Sequence, residues 1–207
     1  MARTRTSVRD RDDTRARILT AAYTIFAERG YHAATIDSIA RASGLTRAGL
    51  LHHFAGKQEL LLALLDRRDE ELEVLRSGSG VGPASTAGDL LVSIETIIRS
   101  ILAQRELVAL AHALSAEATD SEHPAHEWLV ERYRRLRASL TEAFELSFRR
   151  GELERRADPA ILAALSLAAT EGLEAQWLAD PDAVNVEKGI ELLNAMILER
   201  LRPTVES

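Results

Sequence analysis

Residues 35–57, TIDSIARASGLTRAGLLHHFAGK, hold a short apolar-periodic segment, a glycine turn, a second short segment and a lysine opening a third. Ile36, Ile39 and Ala40 fall at i, i+3 and i+4, so the first segment buries one face as a helix, with Thr35 as its N-cap and Asp37 in its first turn. Gly44 ends that helix, because glycine reaches positive φ without steric cost and so permits a tight turn, after which Leu45 points back into a small core. Thr46 caps the next helix, RAGLLHHF, whose Leu50 and Phe54 share a buried stripe and leave Arg47, Ala48 and Leu51 on the opposite face. One face packed and one presented is the arrangement by which a helix-turn-helix offers a reading helix to the major groove of DNA.

With 207 residues, 46% of them hydrophobic, the chain can bury a real core in one or two domains. Cysteine is absent, which excludes a disulfide framework, a thiolate metal site and a cysteine nucleophile. No apolar run is long enough to span a bilayer, and the arginine-rich start lacks the apolar stretch of a signal peptide, so a soluble, cytoplasmic protein is expected. The net charge of -6 is unevenly placed: residues 1–57 hold ten Lys+Arg against five Asp+Glu, whereas residues 58–207 hold sixteen against twenty-seven. Phosphate attraction needs local positive charge rather than a basic whole, and a basic head on an acidic body supplies it.

The remaining periodicity is helical throughout, giving an all-α fold of about nine helices and no sheet, which excludes the usual nucleotide-binding α/β folds. Residues 1–13 carry Arg3, Arg5, Arg9 and Arg11 without apolar periodicity and are expected to form a disordered basic arm. Residues 14–57 form the helix-turn-helix domain, opening with a helix marked by Ile18, Ala22, Ile25 and Phe26 and ended by Gly30. A connecting helix over 58–75 and a flexible linker over 76–89, RSGSGVGPASTAGD, lead to a body over 90–202. In that body Gly151 ends one long helix and Asp158-Pro159 begins the next. Two stripes there either close the monomer core or form a two-fold interface. The interface is expected, built from Ile161, Leu165 and Gly172 with Ile190, Leu193, Ile197 and Leu201, because one short reading helix contacts few base pairs and paired half-sites multiply specificity.

The segment TIDSIARASGLTRAGLLHHFAGKQELL, with FAERGYHAATI before it, resembles the DNA-binding part of the tetracycline-repressor (TetR) family of bacterial transcription regulators over about residues 14–65. The resemblance implies a homodimer that binds a palindromic double-stranded DNA operator, is released by a small-molecule inducer and acts most simply as a repressor. It also implies that Thr35 meets a phosphate, that Thr46, Arg47, Ala48 and Gly49 occupy the groove-facing start of the reading helix, and that His53 and Lys57 touch the backbone. Arg47 is the base-contact candidate, since a guanidinium reaches both major-groove acceptors of guanine. Leu51 departs from the family pattern: many relatives carry Tyr there, and Leu offers only apolar contact to sugar or a thymine methyl.

Other residues bear on what the body receives. Trp128, Phe144, Phe148, Glu171 and Trp177 are candidates for lining a ligand pocket, with Glu171 set in an apolar stretch. His123 and His126 flank Pro124 beside Glu122 and Glu127, but no third ligand stands at suitable spacing, so no metal and no cofactor are expected. GSGVG at 78–82 follows no strand and precedes no Lys-Ser/Thr pair, so it is not a phosphate loop. No nucleophile, base and orienter stand in a recognisable arrangement, and no enzymatic activity is expected. The competing reading is a helical module for a small molecule or protein whose DNA head has reduced function.

Overall fold

The absence of any glycine or proline between Met1 and Gly30 leaves nothing to stop a helix once begun. In the computed structural model, which describes residues 2–78, 85–103 and 105–204, the first helix α1 accordingly spans Ala2–Ala33 and is broken only at Gly30 (φ 73°, ψ 168°). The arm expected to be unstructured over 1–13 is thus the beginning of α1. Then come α2 (Ile36–Ala42), α3 (Arg47–Leu51), α4 (Lys57–Gly78), α5 (Ala87–Leu102), α6 (Arg105–Glu117), α7 (His126–Arg150), α8 (Pro159–Ala179) and α9 (Val186–Arg200). Among the described residues these nine helices are accompanied by no strand. None of them is long and apolar enough to cross a membrane.

The linker expected at 76–89 is shortened from both sides. Residues 76–78 belong to α4, and 79–84 lie outside the described residues. At the far side Thr86 caps α5: its hydroxyl accepts from the Asp89 N–H while the Asp89 carboxylate accepts from the Thr86 N–H at 3.0 Å. Two donors that a helix start leaves orphaned are satisfied at once, and this fixes where α5 begins.

The chain divides into two compact units. The first holds residues 1–70 together with 109–129, so the later part of α6 and the turn into α7 cluster with the head instead of with the body expected over 90–202. Its core includes Ile18, Ala22, Phe26, Ile39, Leu50, Phe54, Leu60 and Leu61, all fully or almost fully buried.

The second unit holds residues 71–108 and 130–207. Leu90, Leu91, Leu140, Phe144, Leu162 and Leu201 form one apolar cluster, and Ile98, Val186 and Ile190 form another against Trp177 and Leu173. The buried Asn194 ties α9 to α5 by donating to the Leu91 carbonyl at 3.3 Å and to Glu95 Oε1 at 2.8 Å. Helices α8 and α9 approach so closely at Gly189 that a Cβ there would lie 2.9 Å from Leu173 Cδ1. Gly172, expected to permit the close approach, has open space where its Cβ would be.

This packing corrects the expected interface. Ile190 and Leu201 are each 1% exposed and close the monomer's own core, while Ile197 packs against the first cluster and Leu193 is half-buried. A stripe at helical spacing is apolar whether it faces its own chain or a copy, and here the stripe is claimed by α5 and α8. The apolar residues that α8 and α9 leave outside are Ile161, Leu165, Leu192 and Met196.

Candidate nucleic-acid interface

The turn of the helix-turn-helix is built by backbone hydrogen bonds that only a left-handed residue allows. Gly44 (φ 71°) donates its N–H to the Arg41 carbonyl at 3.1 Å, and the Leu45 N–H donates to the Ala40 carbonyl at 2.8 Å. This pair of bonds is the Schellman closure, and it satisfies two carbonyls that the end of α2 would otherwise leave unpaired. Arg17 Nη2 donates to the Ser43 carbonyl at 3.0 Å, pinning α1 to the turn, and Arg15 Nη1 donates to the His53 carbonyl at 3.0 Å with its guanidinium 4.0 Å over the Phe54 ring. These two arginines thus spend part of their donor set holding the head together.

On this frame α3 has one buried face and one open face. The helix expected over 47–54 ends at Leu51; its Leu50 and, just beyond it, Phe54 are buried, whereas Thr46, Arg47, Ala48 and Leu51 are exposed, Gly49 is half-buried and Leu51 is 38% exposed. Thr46 caps α3 by accepting from the Gly49 N–H at 3.0 Å. Thr35 caps α2 in the same manner: its hydroxyl accepts from the Ser38 N–H at 3.1 Å, and Ser38 Oγ accepts in return from the Thr35 N–H at 3.2 Å. Arg47 Nη1 stands 2.8 Å from Asp37 Oδ2, with both side chains more than half exposed. Asp37 is therefore the ion-pair partner of Arg47, which sequence spacing gave no reason to expect.

The two remaining positions behave differently. His53 is half-buried, and its ring is held below the ordinary histidine pKa, first by burial and then by the positive charges of His52, Arg11 and Arg15. Lys57 Nζ donates to the carbonyls of Tyr31 at 2.7 Å, His32 at 3.1 Å and Ala34 at 3.0 Å, and lies 4.3 Å over the Tyr31 ring. An ammonium has three protons, and all three are used on the carbonyls that end α1. Lys57, expected to touch the DNA backbone at the start of α4, thus has its ammonium engaged by carbonyls at and just beyond the end of α1. The backbone N–H of Lys57 stands in the first turn of α4.

The five residues expected to line a pocket fall in different surroundings. Trp128 belongs to the first unit and the other four to the second. Phe144 is fully buried in the first apolar cluster of the second unit with Phe148 stacked beside it, and Trp177 packs in the other cluster under Arg105. Their helical spacing reflects core. Glu171 instead accepts a bond from the Tyr133 hydroxyl, at 2.7 and 2.8 Å to its two oxygens, a pairing that joins α7 to α8. Burial first, and then the Glu171 carboxylate, push the Tyr133 phenol up to about 12. A separate recess of about 520 Å³ is lined by Thr141, Glu145, Arg155 and the start of α8, and contains none of the five.

Two family models match this chain: bacterial regulatory proteins of the tetR family over residues 18–64, and the C-terminal region of BetI-type transcriptional repressors over residues 93–202. The HTH-type transcriptional regulator TtgR of Pseudomonas putida is 29% identical over 183 residues, 86% of this chain and 87% of that protein. The HTH-type transcriptional activator FasR of Mycolicibacterium smegmatis is 45% identical over 62 residues, 30% of this chain and 28% of its own. Among solved structures, the SmeT–triclosan complex superposes with a TM-score of 0.80 at 22% identity over 93% of both chains. SmeT described as the repressor of the Stenotrophomonas maltophilia multidrug efflux pump SmeDEF superposes with a TM-score of 0.70, also at 22% identity, over 92% of this chain and 91% of that one. At that identity the likeness is one of fold.

Proposed function

Because the chain belongs to the tetR family of bacterial regulatory proteins and is a transcriptional regulator with a helix-turn-helix head, we propose that it is a homodimeric repressor that binds a palindromic operator and leaves it when a small molecule binds the body. The observation that carries this reading is the open face of α3, with Arg47 at its start and nothing apolar needed to cover it except Leu51. In the major groove Arg47 exchanges its exposed Asp37 partner for the O6 and N7 acceptors of a guanine. Thr46, Ala48 and Gly49 lie against neighbouring base edges, and Leu51 against sugar or a thymine methyl. Thr35, His53 and the Lys57 backbone N–H meet phosphates, positioning α3 without reading sequence. This work takes place in the cytoplasm, with the chromosome, and proceeds by binding and release without catalysis.

For the dimer, the support is the exposed apolar quartet Ile161, Leu165, Leu192 and Met196 on α8 and α9, with open space beside Gly172. For the effector, the support is the part-buried hydroxyl–carboxylate pair Tyr133–Glu171 between α7 and α8, together with the solved structure of like fold whose complex holds triclosan. A small, largely apolar molecule with one polar group fits that chemistry.

The test is anisotropy of fluorescent DNA from upstream of the protein's own gene, titrated with full-length chain at several salt concentrations. Saturable, salt-dependent binding with two chains per palindrome is expected. Absence of any sequence preference over random DNA would instead leave the helical binding module with a reduced head.

A further inference from the structure

The turn between α6 and α7 buries a histidine whose outer nitrogen has nothing to bond. His123 is 5% exposed, and its Nδ1 accepts from the Ala125 N–H at 3.2 Å. Its Nε2 faces Glu117 Oε2 at 3.6 Å, beyond hydrogen-bonding distance, and both atoms are buried without a partner. Buried polar atoms left unpaired are rare enough in folded proteins to need a reason. His32, just past the break in α1, completes the group: one donor atom from each of His32, Glu117 and His123 lies within 4.8 Å of the others. Glycine at residue 30 leaves room for the Glu117 carboxylate, since a Cβ there would stand 3.0 Å from Glu117 Oε1. Both histidine rings also pack edge-on to Tyr31, which limits their freedom. None of the three residues belongs to the face of α3, and all lie within the first unit.

We propose that His32, Glu117 and His123 form a binding site for a divalent transition metal, with zinc the best match. Two imidazoles and one carboxylate are a donor set that zinc takes readily, and three protein ligands leave a fourth position for water or an exogenous group. Bonds of about 2.0–2.1 Å to a tetrahedral ion draw the ligand atoms to about 3.3 Å from one another, so the cluster contracts on loading. The partly exposed Glu117 and the solvent-facing edge of His32 supply that movement, while the buried His123 is the fixed member. Coordination at His123 Nε2 moves the ring proton to Nδ1, which then no longer accepts from Ala125. Loading thus exchanges the 3.2 Å Ala125 bond for a metal bond that fastens the end of α1 to the turn after α6.

The experiment uses untagged, chelator-stripped full-length chain titrated with zinc chloride by calorimetry, and with cobalt chloride to read tetrahedral absorption. One ion per chain is expected, together with a shift of the Ala125 amide resonance that zinc bound elsewhere on the surface would not cause. His32→Gln, at an exposed position, should weaken binding at least about tenfold while leaving thermal stability unchanged. Glu117→Gln should weaken it similarly, which keeps the proposal testable if His123→Gln does not fold. His52→Gln, beside the other adjacent histidine, should change nothing. No saturable uptake, or uptake lost in His52→Gln and kept in His32→Gln, overturns the site. The readouts involve no DNA, so they stand or fall apart from the operator-binding reading.

Discussion

Arg47 and Lys57 are the two cations nearest the reading helix that sequence alone would assign to DNA, and their surroundings separate them. The Arg47–Asp37 pair is well exposed, and such pairs contribute about 0–1 kcal/mol, so exchanging Asp37 for a guanine costs little. Arg47→Ala should weaken operator binding by about 1–3 kcal/mol and relax preference at one base position, read from anisotropy against a panel of single-base operator variants. Equal preference before and after the change would remove Arg47 from base reading. Lys57 instead bonds three carbonyls at the end of α1, where its charge also favours the helix dipole. Lys57→Ala should therefore lower the stability of the protein by about 2 kcal/mol in urea denaturation, the scale of a charged hydrogen bond, and leave the salt dependence of DNA binding alone. A salt slope falling by about one with stability unchanged would return the ammonium to a phosphate. The same three bonds explain why the role was hidden in the sequence: a lysine at a helix start reads as a phosphate ligand, and no spacing rule says that carbonyls of residues 31–34 lie within its reach.

The elements of the head were legible because each of their signals is local. Thr35, Gly44 and Thr46 mark the caps and the turn within one or two residues, and the i, i+3, i+4 spacing of Ile36, Ile39 and Ala40 needs no partner to be recognised. Gly44→Ala tests this directly: at φ 71° a Cβ costs about 1–2 kcal/mol, so a lowered melting temperature with weakened DNA binding is expected. The start of α1 was not legible, since missing apolar periodicity does not prevent a helix that has no breaker. Nor was the choice of stripe on α9, because periodicity identifies apolar faces without naming what covers them; the bonds of Asn194 to α5 and the closeness of Gly189 to Leu173 turn Ile190 inward and Leu192 outward. The Tyr133–Glu171 pair and the grouping of His32 with Glu117 and His123 depend on helices meeting far along the chain, which no spacing rule records. Tyr133→Phe measures the first of these. The unfolded phenol loses its proton near pH 10 and the folded one at about 12, so the stability tied to the buried, protonated phenol is whole below pH 10 and is lost between those values. Denaturation midpoints followed as pH rises above 10 should fall more steeply in the parent chain than in the variant, and parallel curves would show that the pair contributes nothing to that loss.

At the scale of the whole molecule, the acidic balance of residues 58–207 keeps the body from competing for phosphates with the basic head, so DNA attraction is confined to one end of the sequence. Release by an effector then needs no charge change at the DNA surface. It requires a ligand that favours the state in which paired heads miss their half-sites, and such couplings are typically about 1–3 kcal/mol, or about 5–150-fold in affinity. Such misplacement exists only for two chains acting together, because a single head has no second half-site to miss. The apolar residues left outside on the last two helices, Leu192 at 62% and Met196 at 61% exposed, are where the second chain is expected to sit. Placing carboxylates there removes the apolar gain and sets like charges against each other across a two-fold axis. Leu192→Glu with Met196→Glu should sediment as a monomer with unchanged far-ultraviolet circular dichroism. It should bind an isolated half-site as the parent chain does and lose the added affinity for the full palindrome. A double variant that still sediments as a dimer would move the interface off α9, whereas a monomer that kept full palindrome affinity would show that the two heads bind independently.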